Sequence, residues 1–276
     1  MGLRKRGTQN MAKPELIAID LDGTLLVNHY HISEENIAAI RQAVSQGILI
    51  YLVSGRAIAG MLPAADAMNL TNPLVSLNGS FIFDHIGEQT VFSHPIPRGL
   101  ANNAIKIFKR KGIYLGYHAN LNWYVDKDCQ EMRAEGKSMG REPIFVKSLL
   151  NAHIPPPHKL IAIDFENEDI LQETYLELKQ QFPQLNAHFS ETFALEIFDS
   201  QVSKGSALKF ILDQHQLSAE NLMVIGDNYN DISMMQLAGR SIAMGNAPQN
   251  VKAHADWIVS SNDENGVAEA ITRILN

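Results

Sequence analysis

Apolar positions along the chain fall into two alternating rhythms. Residues 16–20, LIAID, form a short continuous apolar run ended by an acid, the pattern of a strand buried on both faces. Residues 33–47, SEENIAAIRQAVSQG, space their apolar positions helically, with Ser33 at the N-cap and Gly47 at the end. Residues 48–54, ILIYLVS, read as a second strand, and 56–69 as a helix interrupted near Pro63. Residues 73–79, PLVSLNG, predict a third strand ending at Asn78-Gly79, and SFIFD after it a hairpin or flap. The same alternation resumes late: a helix over 203–216, a strand over 222–227, a helix over 229–239, a short strand over 241–245 and a last helix over 266–275.

Between these halves the rhythm changes. Residues 98–112 predict a helix, and 113–119 with 122–126 a strand pair across an Asn-containing turn. Then come a strand at 159–165, a helix at 168–182, and a second strand pair at 185–190 and 193–198. The fold class expected is therefore α/β: a Rossmann-like parallel-sheet core with helices on both faces, built from residues 12–83 and 201–276. An α+β unit on a mainly antiparallel sheet is inserted at 84–200, with the proline-stiffened loop NAHIPPPH at 151–158 inside it. Residues 1–11 are expected to be a disordered tail.

Composition narrows the function classes. The 276 residues are 45% hydrophobic and 19% charged, as in a globular protein. A net charge of −7 offers no footprint for nucleic acid, and the one dense basic run, Arg4-Lys5-Arg6, sits in the polar N-terminal segment. No apolar core of a signal peptide follows that run, and the longest aliphatic or aromatic stretch, ILIYLV, is too short to cross a bilayer. The single Cys129 allows no intrachain disulfide, so a reducing, cytoplasmic setting is expected. The partners expected are small molecules, with no nucleic acid and no membrane, for a monomer or weak homodimer.

In an open α/β sheet ligands bind beyond the carboxyl ends of the strands. The residues predicted there are Asp20 and Asp22 after the first strand, Ser54-Gly55-Arg56 after the second, Asn78-Gly79 after the third, and Asp227 with Asn230-Asp231 after the late one. Lys204 opens the helix before that late strand. Each residue alone has a bland explanation as a turn former, a cap or a surface charge. Their convergence on one sheet edge does not. Crowded carboxylates need a cation, and oxygen ligands without a His or Cys cluster favour Mg²⁺. Ser54, nearby backbone N–H groups and Lys204 supply donors for a tetrahedral anion, so the composite is a Mg²⁺ phosphoryl-transfer site. One of the two strand-end acids can attack phosphorus, and the other can exchange protons with leaving group and water.

The ordered set DLDGTLL, VSGR, SKG and GDNYND resembles the four motifs of the haloacid dehalogenase-like hydrolases, and the position of the insertion resembles the Cof-type branch with a C2-type cap. The resemblance implies Asp20 as nucleophile, Asp22 as general acid/base with its backbone carbonyl on the metal, and Asp227 as a further metal ligand. It implies Ser54 and Lys204 on the phosphoryl group, Asn230 near phosphate, and Asp231 orienting Lys204 or the metal's water shell. Gly55 and Asn78 shape loops, and Arg56 reaches toward substrate. The activity implied is a phosphatase for a small phosphorylated metabolite, a sugar phosphate or related phosphomonoester. A phosphosugar mutase and a phosphoaspartate signalling module remain as alternatives. His118, Asn120, Trp123 and Glu196 are the cap candidates for leaving-group contacts, with ordinary packing of the cap sheet as the competing reading for each. His29-x-His31 lacks a third ligand and reads as a loop.

Overall fold

The computed structural model describes residues 13–28, 30–139, 141–150 and 153–276. The expected N-terminal tail and His29 lie outside the described residues. The chain begins with β1 (Leu16–Ile19), α1 (Glu34–Ser45), β2 (Leu49–Leu52), α2 (Ile58–Met68), β3 (Leu74–Ser76), β4 (Phe81–Asp84) and β5 (Gln89–Ser93). Next come α3 (Arg98–Lys111), β6 (Tyr114–Ala119), β7 (Asn122–Val125), α4 (Gln130–Met139), β8 (Ile144–Phe145) and β9 (Lys159–Ile163). Then follow α5 (Glu168–Gln181), β10 (Leu185–Glu191), β11 (Ala194–Asp199), α6 (Lys204–His215), β12 (Leu222–Gly226) and α7 (Ile232–Leu237). The chain ends with β13 (Arg240–Ala243), α8 (Gln249–Lys252), β14 (Trp257–Ile258) and α9 (Gly266–Leu275).

The first sheet is parallel throughout, in the order β14-β13-β12-β1-β2. Successive β1 side chains point to opposite faces. Ile17 and Ile19 pack with Ile50, Leu52, Ile40 and Ile271, whereas Leu16 and Ala18 pack with Tyr51, Val224, Leu208 and Met234. Helices therefore cover both faces, and all four β1 residues are fully buried, which explains the unbroken apolar run. Each buried Leu or Ile contributes roughly 1.5–3 kcal/mol. The result is a stiff central strand, and the acids follow its end.

The second sheet has the order β10-β11-β9-β6-β7-β8 and is antiparallel except for β7 with β8. Its alternation is equally clear. Leu160, Ala162, Leu195 and Ile197 pack beneath α3 and α5, while Trp123, Val125, Ile161, Ile163 and Ala194 form a separate cluster on the opposite face.

Three local outcomes depart from the pattern reading. The helix at Pro63 is not interrupted: α2 runs through it, because one missing N–H costs less than the burial of Met61, Ala64, Ala65 and Met68 returns. The third predicted strand, β3, meets the core sheet through an isolated Val53–Val75 bridge and pairs antiparallel with β4. The chain reverses there through positive φ at Leu77, Asn78 and Gly79. Finally, α4, β8 and β14 were not expected, since α4 is polar and the two strands have only two residues each.

Candidate active site

The end of β1 sits at the point where the chain leaves to β2 on one side and meets β12 on the other, the switch point at which open α/β sheets bind ligands. Asp20 extends the ladder, its N–H donating to the Ile225 carbonyl at 3.0 Å. Gly23 then turns the chain at φ +78°, and a Cβ there would stand 2.4 Å from Asp227 Oδ2, so only glycine lets the two loops meet. Thr24 Oγ1 donates to Asp227 Oδ1 at 2.8 Å. Lys204 is the first residue of α6, which Ser203 and Ser206 start with a reciprocal capping box. That start aims the Lys204 ammonium between two carboxylates, 2.5 Å from Asp20 Oδ1 and 2.6 Å from Asp231 Oδ1. The other Asp231 oxygen accepts from the Asp227 and Asn228 N–H groups at 2.9 Å.

This cluster is almost dry. Asp20, Lys204 and Asp231 are 4%, 1% and 0% exposed. Burial pushes the Asp20 carboxyl well above the usual range against the pull of Lys204, and the Asp231 and Asp227 charges push the same way. Burial and Asp231 raise Asp227 to about 6. Burial pulls Lys204 down, but Asp20 and Asp231 outweigh it, raise the group above its usual range and hold the ammonium charged.

Ser54, Gly55, Arg56, Asn78 and Asn230 all line the cavity above Asp20. Ser54 Oγ accepts from the Arg56 N–H at 3.1 Å. Arg56 grips Asp22 through a two-pronged fork, Nε to Oδ2 at 2.7 Å and Nη2 to Oδ1 at 2.6 Å. In this state Arg56 therefore meets the partner acid. Asn230 Nδ2 donates to Asn78 Oδ1 at 2.9 Å, and Asn78 Nδ2 donates to Glu196 Oε2 at 3.0 Å.

The cavity, about 1070 Å³, is roofed by the second sheet and open to solvent at its mouth. Of the four residues proposed there, Glu196 lines it. His118 and Trp123 are stacked in the interior, 6.1 Å between ring centroids, with their ring nitrogens unpartnered, and Asn120 donates its backbone N–H to His158. Burial drives His118 well below its usual range, so it is neutral. Pattern reading missed Thr24, Lys159 and His188. Lys159 Nζ lies 2.7 Å from Glu196 Oε1 and 3.0 Å from the Gly55 carbonyl, and His188 Nε2 is 3.5 Å from Glu196 Oε2. A lysine heading the buried run KLIAI and a glutamate inside ALEIF were the available signals.

Oxygens of Asp20, Asp227 and Asp231 lie within 4.8 Å of one another. Burial and neighbouring negative charge raise the Asp20 and Asp227 carboxyls, and an all-oxygen donor set of this kind suits Mg²⁺. Asp231 has both oxygens committed to Lys204 and two N–H groups, which leaves Asp20 and Asp227 as the carboxylates free to hold the ion. The fork with Arg56 holds the Asp22 carboxylate, so any metal contact from Asp22 falls to its backbone carbonyl.

The family model for haloacid dehalogenase-like hydrolases matches residues 17–271. The chain belongs to the haloacid dehalogenase-like hydrolases. Among its relatives in this hydrolase family, the 5-amino-6-(5-phospho-D-ribitylamino)uracil phosphatase YcsE of Bacillus subtilis is 30% identical, over 93% of this chain and 94% of that one. The pyridoxal phosphate phosphatase YbhA of Escherichia coli is 27% identical, over 93% and 97%. A haloacid dehalogenase-like hydrolase from Bacteroides thetaiotaomicron superposes with a TM-score of 0.86 at 28% identity, covering 95% of this chain and 100% of that one. Among the described residues, no helix is long and apolar enough to cross a membrane.

Proposed function

We propose that this hydrolase is a Mg²⁺-dependent phosphatase that cleaves a phosphomonoester of a small metabolite through an aspartyl-phosphate at Asp20. The observation that carries the reading is Lys204 held between Asp20 and Asp231, with Asp227 beside them, at the base of the cavity between the two sheets. Asp20 attacks phosphorus, and Asp22 protonates the departing alkoxide, then takes a proton from the water that hydrolyses the acyl phosphate. Asp22 must leave the Arg56 fork to act, because a carboxylate so gripped stays ionised. Lys204, the Ser54 hydroxyl and nearby N–H groups neutralise the phosphoryl oxygens. Asp20, Asp227 and the Asp22 carbonyl would hold Mg²⁺, which would supply the charge that lets a carboxylate approach a phosphate dianion.

Residues 84–200 act in this reading as a C2-type cap that excludes water and selects the leaving group. Sugar phosphates fit the polar groups near Asp20. The farther walls carry Phe165, Tyr175, Phe189, Phe193, Tyr30 and Tyr229, so esters with a flat ring are equally suited, as in the names of the two relatives above. A cavity of this volume favours an organic ester over the bare phosphoaspartate of a signalling module. The test is Asp20→Asn assayed with p-nitrophenyl phosphate and excess Mg²⁺. The reading expects phosphate release to vanish while the circular dichroism spectrum is unchanged. Turnover at the wild-type rate would overturn it.

A further inference from the structure

Lys159 and Glu196 belong to the second sheet, yet their side chains hold three loops of the core. They occupy adjacent strands β9 and β11, diagonally offset because Glu196 pairs directly with Ile161. Both are buried, at 4% and 8% exposure. The Lys159 ammonium bridges Glu196 Oε1 and the Gly55 carbonyl, which follows β2. Glu196 Oε2 accepts from Asn78 after β3, and Asn78 accepts in turn from Asn230 after β12. Backbone bonds link the same loops, Asn78 N–H to the Ser54 carbonyl and Leu77 N–H to the Arg56 carbonyl, both at 3.0 Å.

Two physical points give this chain of contacts a role. A peptide unit is planar and trans, so its C=O and N–H point in opposite directions. Lys159 drawing on the Gly55 carbonyl therefore sets the Arg56 N–H of the same peptide toward Ser54 Oγ, where it donates at 3.1 Å. Second, a buried ion pair is a poor source of stability, because desolvation offsets most of its attraction and an apolar pair would pack as well. Burial pushes the Glu196 carboxyl up, but Lys159, His188 and the Asn78 hydrogen bond together hold it below its usual range. Glu196 is therefore ionised, and each side chain of the pair has a second partner on the core.

We propose that Lys159 and Glu196 are positioning residues: from the inserted unit they orient the Gly55–Arg56 peptide, the Ser54 hydroxyl and the Asn78–Asn230 amides to receive the phosphoryl group. The phosphate-binding edge is then complete only while the second sheet lies against the core loops, which couples that docking to catalysis. The proposal rests on the phosphatase reading for its kinetic consequence. Its structural consequence is independent of that reading.

The experiment compares wild type, Lys159→Met, Glu196→Ala and Glu196→Gln by p-nitrophenyl phosphate kinetics with Mg²⁺ and by amide hydrogen exchange without substrate. Misplacement of about 1 Å can cost on the order of a hundredfold in rate. Lys159→Met and Glu196→Ala should lower kcat by roughly tenfold or more with little change in KM. Glu196→Gln keeps an acceptor for Asn78 and should recover most of the loss. Exchange at residues 54–57 and 77–80 should quicken in Lys159→Met while that of β6 stays slow. Unchanged exchange at those loops, or a rise in KM alone, would overturn the proposal, the latter marking Lys159 as a leaving-group contact. If Lys159→Met loses the native Trp123 emission, the Glu196→Ala and Glu196→Gln pair decides by the same two readouts. Wild type that releases no phosphate would sink the phosphatase reading and leave the exchange result to judge the coupling.

Discussion

Asp231→Ala removes a side chain that touches no solvent and serves three donors at once. The Asp227 N–H is buried, and without its acceptor it costs about 1–3 kcal/mol. The Asn228 N–H is nearer water and costs less. Lys204 loses one charge-assisted hydrogen bond at 2.6 Å, worth about 1.5–3 kcal/mol, but keeps Asp20. Against these losses, Asp20 and Asp227 are relieved of a neighbouring negative charge that raises both their carboxyls. The balance is a destabilisation of about 3 kcal/mol. Trp123 reports on the second sheet and Trp257 on the parallel sheet, so urea unfolding in a Trp123→Phe background follows the core that holds Asp231. The expected result is a midpoint shift equivalent to about 3 kcal/mol, with kcat reduced at least about tenfold because Lys204 is no longer aimed. A change below about 0.5 kcal/mol would refute the assignment of Asp231 as the keystone of this loop.

Further outcomes follow from the same geometry. His158 is buried, its Nδ1 accepts from the Asn120 N–H, and burial lowers it to about 4 from 6.5. The unfolded chain therefore binds the proton more tightly, so the stability this group protects is full above pH 6.5 and is lost as pH falls toward 4, by about 3 kcal/mol. His118 and His188 act in the same direction, so the measurement is the difference in unfolding free energy between wild type and His158→Gln from pH 4 to 7. Gly79 has φ +97°, and a Cβ there would lie 2.5 Å from the Ser203 carbonyl that starts α6; Gly79→Ala should lower stability by about 1–3 kcal/mol and displace Lys204, read as a lower Tm and lower kcat. Chelation of divalent ions should abolish phosphate release, and Mg²⁺ should restore it with a weaker dependence in wild type than in Asp227→Asn.

The core of the fold was legible because burial on both faces writes itself as unbroken apolar runs, as in the strands LIAI and LMVIG, each followed by an acid at the sheet edge. The acids and Lys204 were legible for the same reason, since a charge directly after a buried strand or at a helix start has its position set by that element. What escaped depends on contacts between distant segments. Arg56 pairs with Asp22, a choice of partner that no local pattern encodes. Lys159 looks like the solvent-facing head of a strand until the opposing sheet edge buries it. Trp123 lies in the interior cluster under α4 with His118 stacked on it, the packing role that competes with substrate contact for polar-tipped residues on a strand pair, and α4 itself lacks the apolar stripe that would announce it.

The central claim is that Asp20 carries the phosphoryl group, and the most direct measurement is an acid-quenched single turnover followed by peptide mass spectrometry. Asp22→Asn should slow the hydrolytic step and let the intermediate accumulate. The account predicts phosphate covalently attached at Asp20. Phosphate formed with no covalent adduct at any time point, or an adduct on another residue, would contradict it.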